Sequence, residues 1–430
     1  MAQKNKTRQA LSDVLFLYTT KNDDPLSFQY EIECTTLKAV KFTLNFTGSE
    51  NFRVEGSNDL VMTATVRPFN RHALGTITLV NKDKRASLKM SCEWTMEEAK
   101  DSETADFHKA HVEKMTKLIE EAHTLNFPEA LDDPQNKTVQ EICATYGKSF
   151  IDYSFPPNDS SLYKALAPGE KAGKRIAVEW KRPKDFMQGD FHIFHEGIEP
   201  GDIRQGALGD CWFLCAIAAL TEFPILVEDL FPEDSKDVND AGVYNVRFCK
   251  NGIWQNVRVD DYFPCYPGGG PIYSRSNGNE LWVLLLEKAY AKVNGSYEAC
   301  KSGWAFEGMM DLTGAPFKTI RLDDPDLKPS IANGTLWKEL KQYDIENYIM
   351  SASTPGEDIY TETGARPGKN GTGLVAGHAY TLIAVKETSK GDKLCKLRNP
   401  WGSMEWTGDW SDTSDKWTPQ MQVRHFKISS

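Results

Sequence analysis

Cys211-Trp212-Phe213-Leu214-Cys215-Ala216-Ile217-Ala218-Ala219-Leu220 is an unbroken apolar run of ten residues. A helix that is apolar on every side has no face to give to water, so other elements must wrap it. The chain has 430 residues, 40% of them apolar, which is enough material for that core and for two or three domains. The run is preceded by Gln205-Gly206-Ala207-Leu208-Gly209-Asp210, a glycine-broken turn ending in a residue type favoured at helix N-caps. Cys211 therefore falls in the first turn of a buried helix. There the helix dipole favours the thiolate, the reactive form of cysteine. Gln205 lies on the same turn, six residues upstream. Its amide is placed to join the Cys211 N–H as a donor to an oxyanion.

A thiol nucleophile needs a base, and the base needs a group that orients it. Both occur downstream. Gly377-His378-Ala379-Tyr380-Thr381-Leu382-Ile383-Ala384-Val385 is a β-rich run with His378 at its start, and Arg398-Asn399-Pro400-Trp401-Gly402 follows. Taken alone, a cysteine in an apolar run is usually a small buried hydrophobe, and Cys215 fits that description. Cys211 differs because of its glycine turn and Gln205. His425 is the rival base, but it sits in a polar tail beside Arg424 and near Lys427. Trp401 is positioned to shield a His378–Asn399 hydrogen bond from water.

In Gln205–Phe213, Gly377–Tyr380 and Asn399–Gly402 the sequence strongly resembles the calpain family of cysteine proteases. Asn279-Glu280-Leu281-Trp282, Leu285–Lys292, Asn294–Glu298 and Trp180-Lys181-Arg182-Pro183 add to the likeness, which covers about residues 148–430 and not residues 1–147. The resemblance implies a papain-like pair of lobes, with Cys211 on one and His378 and Asn399 on the other. It implies a calcium-dependent endopeptidase cleaving protein substrates. It also implies one calcium ion in each half. In the first half the matching positions are His195 and Gly197 through backbone carbonyls, with the carboxylates of Asp202 and Glu280. In the second half Glu405 and Asp412 match. Hard oxygen ligands of this kind suit calcium. The family's other second-half ligands lie beyond Trp417 in a segment that this sequence does not carry, so the second site is expected to be incomplete. Pro200 stands where better-known members place an arginine that couples the two sites. No EF-hand loop is present.

Composition narrows the rest. The formal net charge is −11, which argues against a nucleic-acid surface. No apolar stretch approaches the roughly 20 residues of a membrane helix, and no long apolar segment follows the basic start, so no secretory signal is expected. Nine cysteines are scattered without a C-x-x-C pair. That excludes a zinc or disulfide framework and points to a reducing, intracellular compartment.

The expected architecture is α+β, with four segments. Residues 1–94 read as a small β-sandwich-like domain: Phe28, Tyr30, Ile32 and Cys34 alternate with polar residues, as do Val40, Phe42, Leu44 and Phe46, and Leu88, Met90, Cys92 and Trp94. Six or so strands are expected, and the module's role is binding, to a regulatory partner or a lipid surface, or packing. Residues 95–147 read as a helical linker, opened by a capping box at Thr95-Met96-Glu97-Glu98. Its histidines His108, His111 and His123 are read as packing or solvated groups rather than as metal ligands. Residues 148–317 form the Cys lobe and 318–430 the His/Asn lobe, the latter mostly strands. Pro264–Pro271 reads as a mobile loop, and 354–377 as a segment able to gate a cleft. Two rivals remain: a calpain-like regulatory or scaffold protein without catalysis, and a Cys–His–Asn acyltransferase.

Overall fold

The computed structural model describes residues 5–12, 15–23, 25–34, 38–67, 71–98, 101–124, 137–165, 177–195, 197–356, 373–402 and 406–418. Helices and strands are both extensive, so the chain is α+β. Its contacts divide it into two units. One holds Met1–Lys117, Glu170–Lys181 and Pro264–Pro271; the other holds Leu118–Gly169, Arg182–Phe263 and Ile272–Ser430.

The first unit is built on eight strands: β1 Asn5–Ser12, β2 Leu15–Asp23, β3 Leu26–Cys34, β4 Lys38–Asn45, β5 Phe52–Val54, β6 Val61–Val66, β7 Arg71–Leu79 and β8 Ser91–Glu98. They form two antiparallel sheets, ordered β1-β2-β3-β7-β5 and β6-β4-β8. Alternation decides which side chains face inward. Leu15, Leu17, Tyr30, Ile32, Val40, Phe42, Leu44 and Ile77 are buried in one cluster.

Two expectations fail here. Thr95–Glu98 does not cap a helix. It continues β8, with Glu98 opposite Lys38 on β4, and the helix begins at Asp101 (Asp101–His123). Pairing with β4 satisfies the backbone groups that a capping box would otherwise have served. The Pro264–Pro271 stretch is held rather than loose. The Lys181 ammonium donates to the Gly269 carbonyl at 3.0 Å, and the Gly268 N–H donates to Glu179 at 2.8 Å. Two of the three linker histidines pack. His111 is buried, and its Nε2 accepts the Trp180 N–H at 3.0 Å. His123 stacks on Tyr153 with ring centroids 4.1 Å apart.

In the second unit the apolar run forms the helix Cys211–Leu220, with Trp212 to Leu220 all buried. Around it stand the hairpin Val243–Lys250/Ile253–Asp260 and the helices Trp282–Asn294 and Ala305–Thr313. The Trp282 helix ends on Gly295 at φ +96°, a left-handed position that glycine takes without strain. Beyond Gly314 the chain is less β-rich than expected. The helices Lys328–Ala332 and Thr335–Ile345 come first, and a three-stranded sheet of Met350–Ser353, Ala379–Glu387 and Lys393–Arg398 follows. Thr335–Ile345 carries its apolar residues at helical rather than alternating spacing.

Candidate active site

Two main-chain features shape the turn before Cys211. A Cβ on Gly206 would lie 1.9 Å from the Tyr273 carbonyl oxygen, so only glycine fits there. The Ala207 N–H donates to the Ile272 carbonyl at 2.9 Å, which pins the turn to that neighbouring segment. Cys211 is the first helical residue and is partly exposed. Asp210 occupies the N-cap position, as expected, but its side chain makes no cap hydrogen bond. Its main-chain carbonyl accepts the first helical bonds, from the Phe213 and Leu214 N–H groups.

His378 is fully buried at the head of the Ala379–Glu387 strand. Its Nε2 lies 2.9 Å from Asn399 Oδ1. The Trp401 N–H donates to that same oxygen at 3.0 Å. An atom that receives a main-chain N–H is the amide oxygen, so the imidazole carries its hydrogen on Nε2. Nδ1 is then the basic nitrogen. The Trp401 ring lies 4.8 Å from the imidazole and is itself buried, closing the His378–Asn399 bond off from water.

Three contacts join the Cys211 and His378 segments. Thr381 Oγ1 donates to the Cys215 carbonyl at 3.0 Å, the Gln205 N–H donates to the Pro400 carbonyl at 2.9 Å, and Arg398 donates to the Ile203 carbonyl at 3.3 Å. The structure thus brings the helix start, the Gln205 turn, His378 and Asn399 together. Gln205 Nε2 donates to the Leu208 carbonyl at 2.7 Å, leaving its second amide hydrogen for another acceptor.

Sequence reasoning missed one neighbour. The Thr354 N–H donates to the His378 carbonyl at 3.0 Å, and Thr354 Oγ1 accepts the His378 N–H at 3.1 Å and donates to the Val375 carbonyl at 2.5 Å. Thr354 lies in no motif, and only strand pairing (Ser353 opposite Ala379) puts it there.

Of the expected first-half calcium positions, three meet. Burial pushes Glu280 up to about 7, and the nearby Asp202 charge adds to the rise. Glu280 accepts the Trp282 indole N–H at 2.7 Å and a main-chain hydrogen bond from His195. Burial also raises Asp202, whose carboxylate accepts the Glu199 N–H at 2.8 Å. Gly197 sits on the same segment at φ +116°. A buried carboxyl, Glu280, and a half-buried one, Asp202, that repel each other form an oxygen-donor set that fits a hard divalent cation. Among the described residues no group of three or more His, Cys, Asp or Glu side chains is placed to hold a metal, and this pair alone falls below that number. In the second half, Asp412 is exposed. Glu405, His425 and most of the 354–377 segment lie outside the described residues.

A thiol at a helix start, with a buried imidazole oriented by an amide, is the arrangement of a cysteine peptidase. The chain belongs to the calpain family: the profile described as calpain family cysteine protease matches residues 150–428. It is 38% identical over 296 residues to the calpain-type cysteine protease ADL1 of Oryza sativa subsp. japonica, covering 66% of this chain and 13% of that protein. It is 38% identical over 286 residues to calpain-8 of Mus musculus (65% and 39%) and over 280 residues to the calpain-1 catalytic subunit of Homo sapiens (64% and 37%). The chain thus spans well under half the length of these relatives. Among the described residues no helix is long and apolar enough to cross a membrane.

Proposed function

We propose that this chain is a calcium-dependent cysteine endopeptidase acting on protein substrates through Cys211, His378, Asn399 and Gln205. Its frame is a papain-like pair of lobes, 148–317 and 318–430. The 1–94 β module serves as a binding element for a regulatory partner or a lipid surface, joined through the helical 95–147 segment. The observation that carries the reading is the pair of donors, His378 Nε2–H and Trp401 N–H, on Asn399 Oδ1. It supports the tautomer that leaves Nδ1 to take a thiol proton.

The steps follow from that tautomer. His378 Nδ1 takes the Cys211 proton. The thiolate attacks the peptide carbonyl carbon, forming the C–S bond while the carbonyl oxygen becomes an oxyanion. The Cys211 N–H and the free Gln205 amide hydrogen donate to that oxygen. His378 Nδ1–H then protonates the amine as the C–N bond breaks. Water, giving its proton to Nδ1, adds to the thioester and releases the acid and the thiol.

His195, Gly197, Asp202 and Glu280 would hold the first-lobe ion, and Glu405 and Asp412 a second. Calcium, when bound, neutralises carboxylates that otherwise repel each other. All nine cysteines are free thiols, which supports an intracellular, reducing location. The deciding experiment labels Cys211 with an irreversible peptidyl electrophile, with and without calcium. Calcium-enhanced labelling of Cys211, lost when the protein is unfolded, is the expected result. Absence of labelling in both conditions would return the chain to the scaffold reading, and labelling without peptide cleavage to the acyltransferase reading.

A further inference from the structure

Asp210 directly precedes Cys211 and is 1% exposed. Its carboxyl makes no cap hydrogen bond to the first-turn N–H groups of the helix. Its carboxyl faces that of Glu287, which is 4% exposed and lies on the Trp282–Asn294 helix. Glu287 Oε1 accepts the Ser274 N–H at 2.8 Å. The other titratable groups that feel this pair are Tyr273, Tyr297 and Cys300. Burial raises all three, so none is charged at neutral pH, and none is a cation. Two buried carboxylates in contact, without a cation, cannot both be ionised.

We propose that Asp210 and Glu287 share a proton and together act as a positioning pair for Cys211. The proposal rests on Cys211 being the nucleophile. An aspartate at a helix N-cap ordinarily folds onto the first-turn N–H groups. Here the O–H···O bond to Glu287 holds the Asp210 side chain away from them. The Asp210 carbonyl stays locked to Phe213 and Leu214. The helix end keeps its positive field, and the Cys211 N–H stays available to an oxyanion. A carboxylate swung onto the cap would cancel both.

The pH sign follows from burial. Burial raises both carboxyls above their ordinary values; the neighbouring Asp210 charge raises Glu287 further, while the hydrogen bond from Glu287 draws Asp210 back down, so the shared proton rests mainly on Glu287. The folded state therefore binds more protons than the unfolded chain. The stability the pair contributes is full below the ordinary carboxylate range and falls as pH climbs through the folded pKa. Loss of the shared proton frees Asp210, so Cys211 reactivity acquires an alkaline limb.

The test uses the full chain in calcium-containing buffer. Infrared difference spectra across pH read the C=O stretch of a protonated buried carboxyl. Mass spectrometry reads the rate at which iodoacetamide alkylates Cys211. Wild type is expected to show a carboxyl band that titrates together with an alkaline fall in alkylation. Glu287→Gln keeps a hydrogen-bond donor to Asp210 at every pH, so both the titrating band and the alkaline limb disappear. Glu287→Ala releases Asp210 and slows alkylation by about tenfold, the size of a helix-end charge effect; Glu287→Gln restores most of that rate. No carboxyl band in wild type, or the same pH profile in wild type and Glu287→Gln, overturns the proposal. If Glu287→Ala does not fold, the band and the Glu287→Gln profile still decide. The band is independent of catalysis, so peptidase activity retained in Cys211→Ala would remove the nucleophile reading while leaving the pair itself measured.

Discussion

The two units have interiors of different kinds. The β unit's core cluster is carried by aliphatic and aromatic side chains, from Leu15 to Ile77, with the Tyr30 hydroxyl and the Cys34 thiol its few polar atoms. The second unit buries Asp210, Asp260, Asp261, Glu287, Lys288, His378 and Asn399. Lys288 and Asp260 are both fully buried and paired, and Arg182 is paired with Asp261. Removing a charge from water costs several kcal/mol unless a partner compensates, and an apolar pair of the same shape is often as stable. The first interior needs only volume and alternation. The second gives up some of that economy to hold polar groups in fixed places, and its candidate chemistry lies among them.

The largest expected effect tests that contrast directly. Cys211→Ala should lower peptide turnover by about 10⁴-fold or more, as loss of a covalent nucleophile does, with no loss of thermal stability. Turnover within tenfold of wild type would remove Cys211 from the chemistry and leave the polar interior without its proposed purpose.

The next effect compares the cores themselves. Lys288→Met leaves Asp260 buried without its ammonium and should cost about 3–5 kcal/mol in urea unfolding. Phe42→Ala should cost a similar 3–5 kcal/mol through the cavity it opens. Lys288→Met/Asp260→Asn, which removes both charges but keeps a side-chain oxygen for the Asp152 and Tyr262 N–H groups, should recover part of the first loss, while no polar exchange should recover the second. Failure of the double variant to recover would mean that the ion pair itself, and not merely its completion, stabilises the fold.

How much of this was legible differs between the units for the same reason. Alternation at Phe28–Cys34 and Val40–Phe46 gave strands and inward faces, because a two-residue period follows from pleating alone. The register of β8 was not legible: Thr95–Glu98 matches a capping box locally, and only its pairing with β4 makes it a strand. Cys211, His378, Asn399 and Gln205 could be named because each stands in a distinctive local motif. Thr354 and Glu287 could not, because each reaches the site through tertiary pairing, Thr354 across a sheet and Glu287 from a second helix. The unused cap at Asp210 was likewise invisible, since the residue type is right and only the buried neighbour diverts it.

Gln205→Ala comes next. Removing one oxyanion donor should cost about 10²–10³ in kcat with little change in KM. A loss confined to KM would place Gln205 in substrate binding. Calcium follows. At a concentration of about 100 times its Kd, an ion that binds only the folded chain adds roughly 2.7 kcal/mol. Asp202→Ala/Glu280→Ala should abolish that calcium-dependent rise in Tm. Calorimetry showing undiminished binding in the double variant would place the ion elsewhere.

The smallest effect probes how finely the polar interior is set. Thr354 Oγ1 is an acceptor for the buried His378 N–H and a donor to the Val375 carbonyl. Thr354→Val preserves the side chain's shape and removes both bonds. Leaving a buried donor unsatisfied costs about 1–3 kcal/mol. Part of that cost falls on the folded state, and part is relieved by movement of the strand start that carries His378. Because the imidazole hangs from that residue, the relief tilts Nδ1 away from the thiol, and kcat should fall by about tenfold, as small misplacements of catalytic groups do. KM should hold, since Thr354 touches no substrate group in the proposed mechanism. Thr354→Ser keeps the hydroxyl and should restore kcat even if its lost methyl lowers Tm slightly. A Thr354→Val variant with lower Tm but unchanged kcat would show that His378 is held by Asn399 and Trp401 alone, and that the polar interior is less finely tuned than its hydrogen bonds suggest.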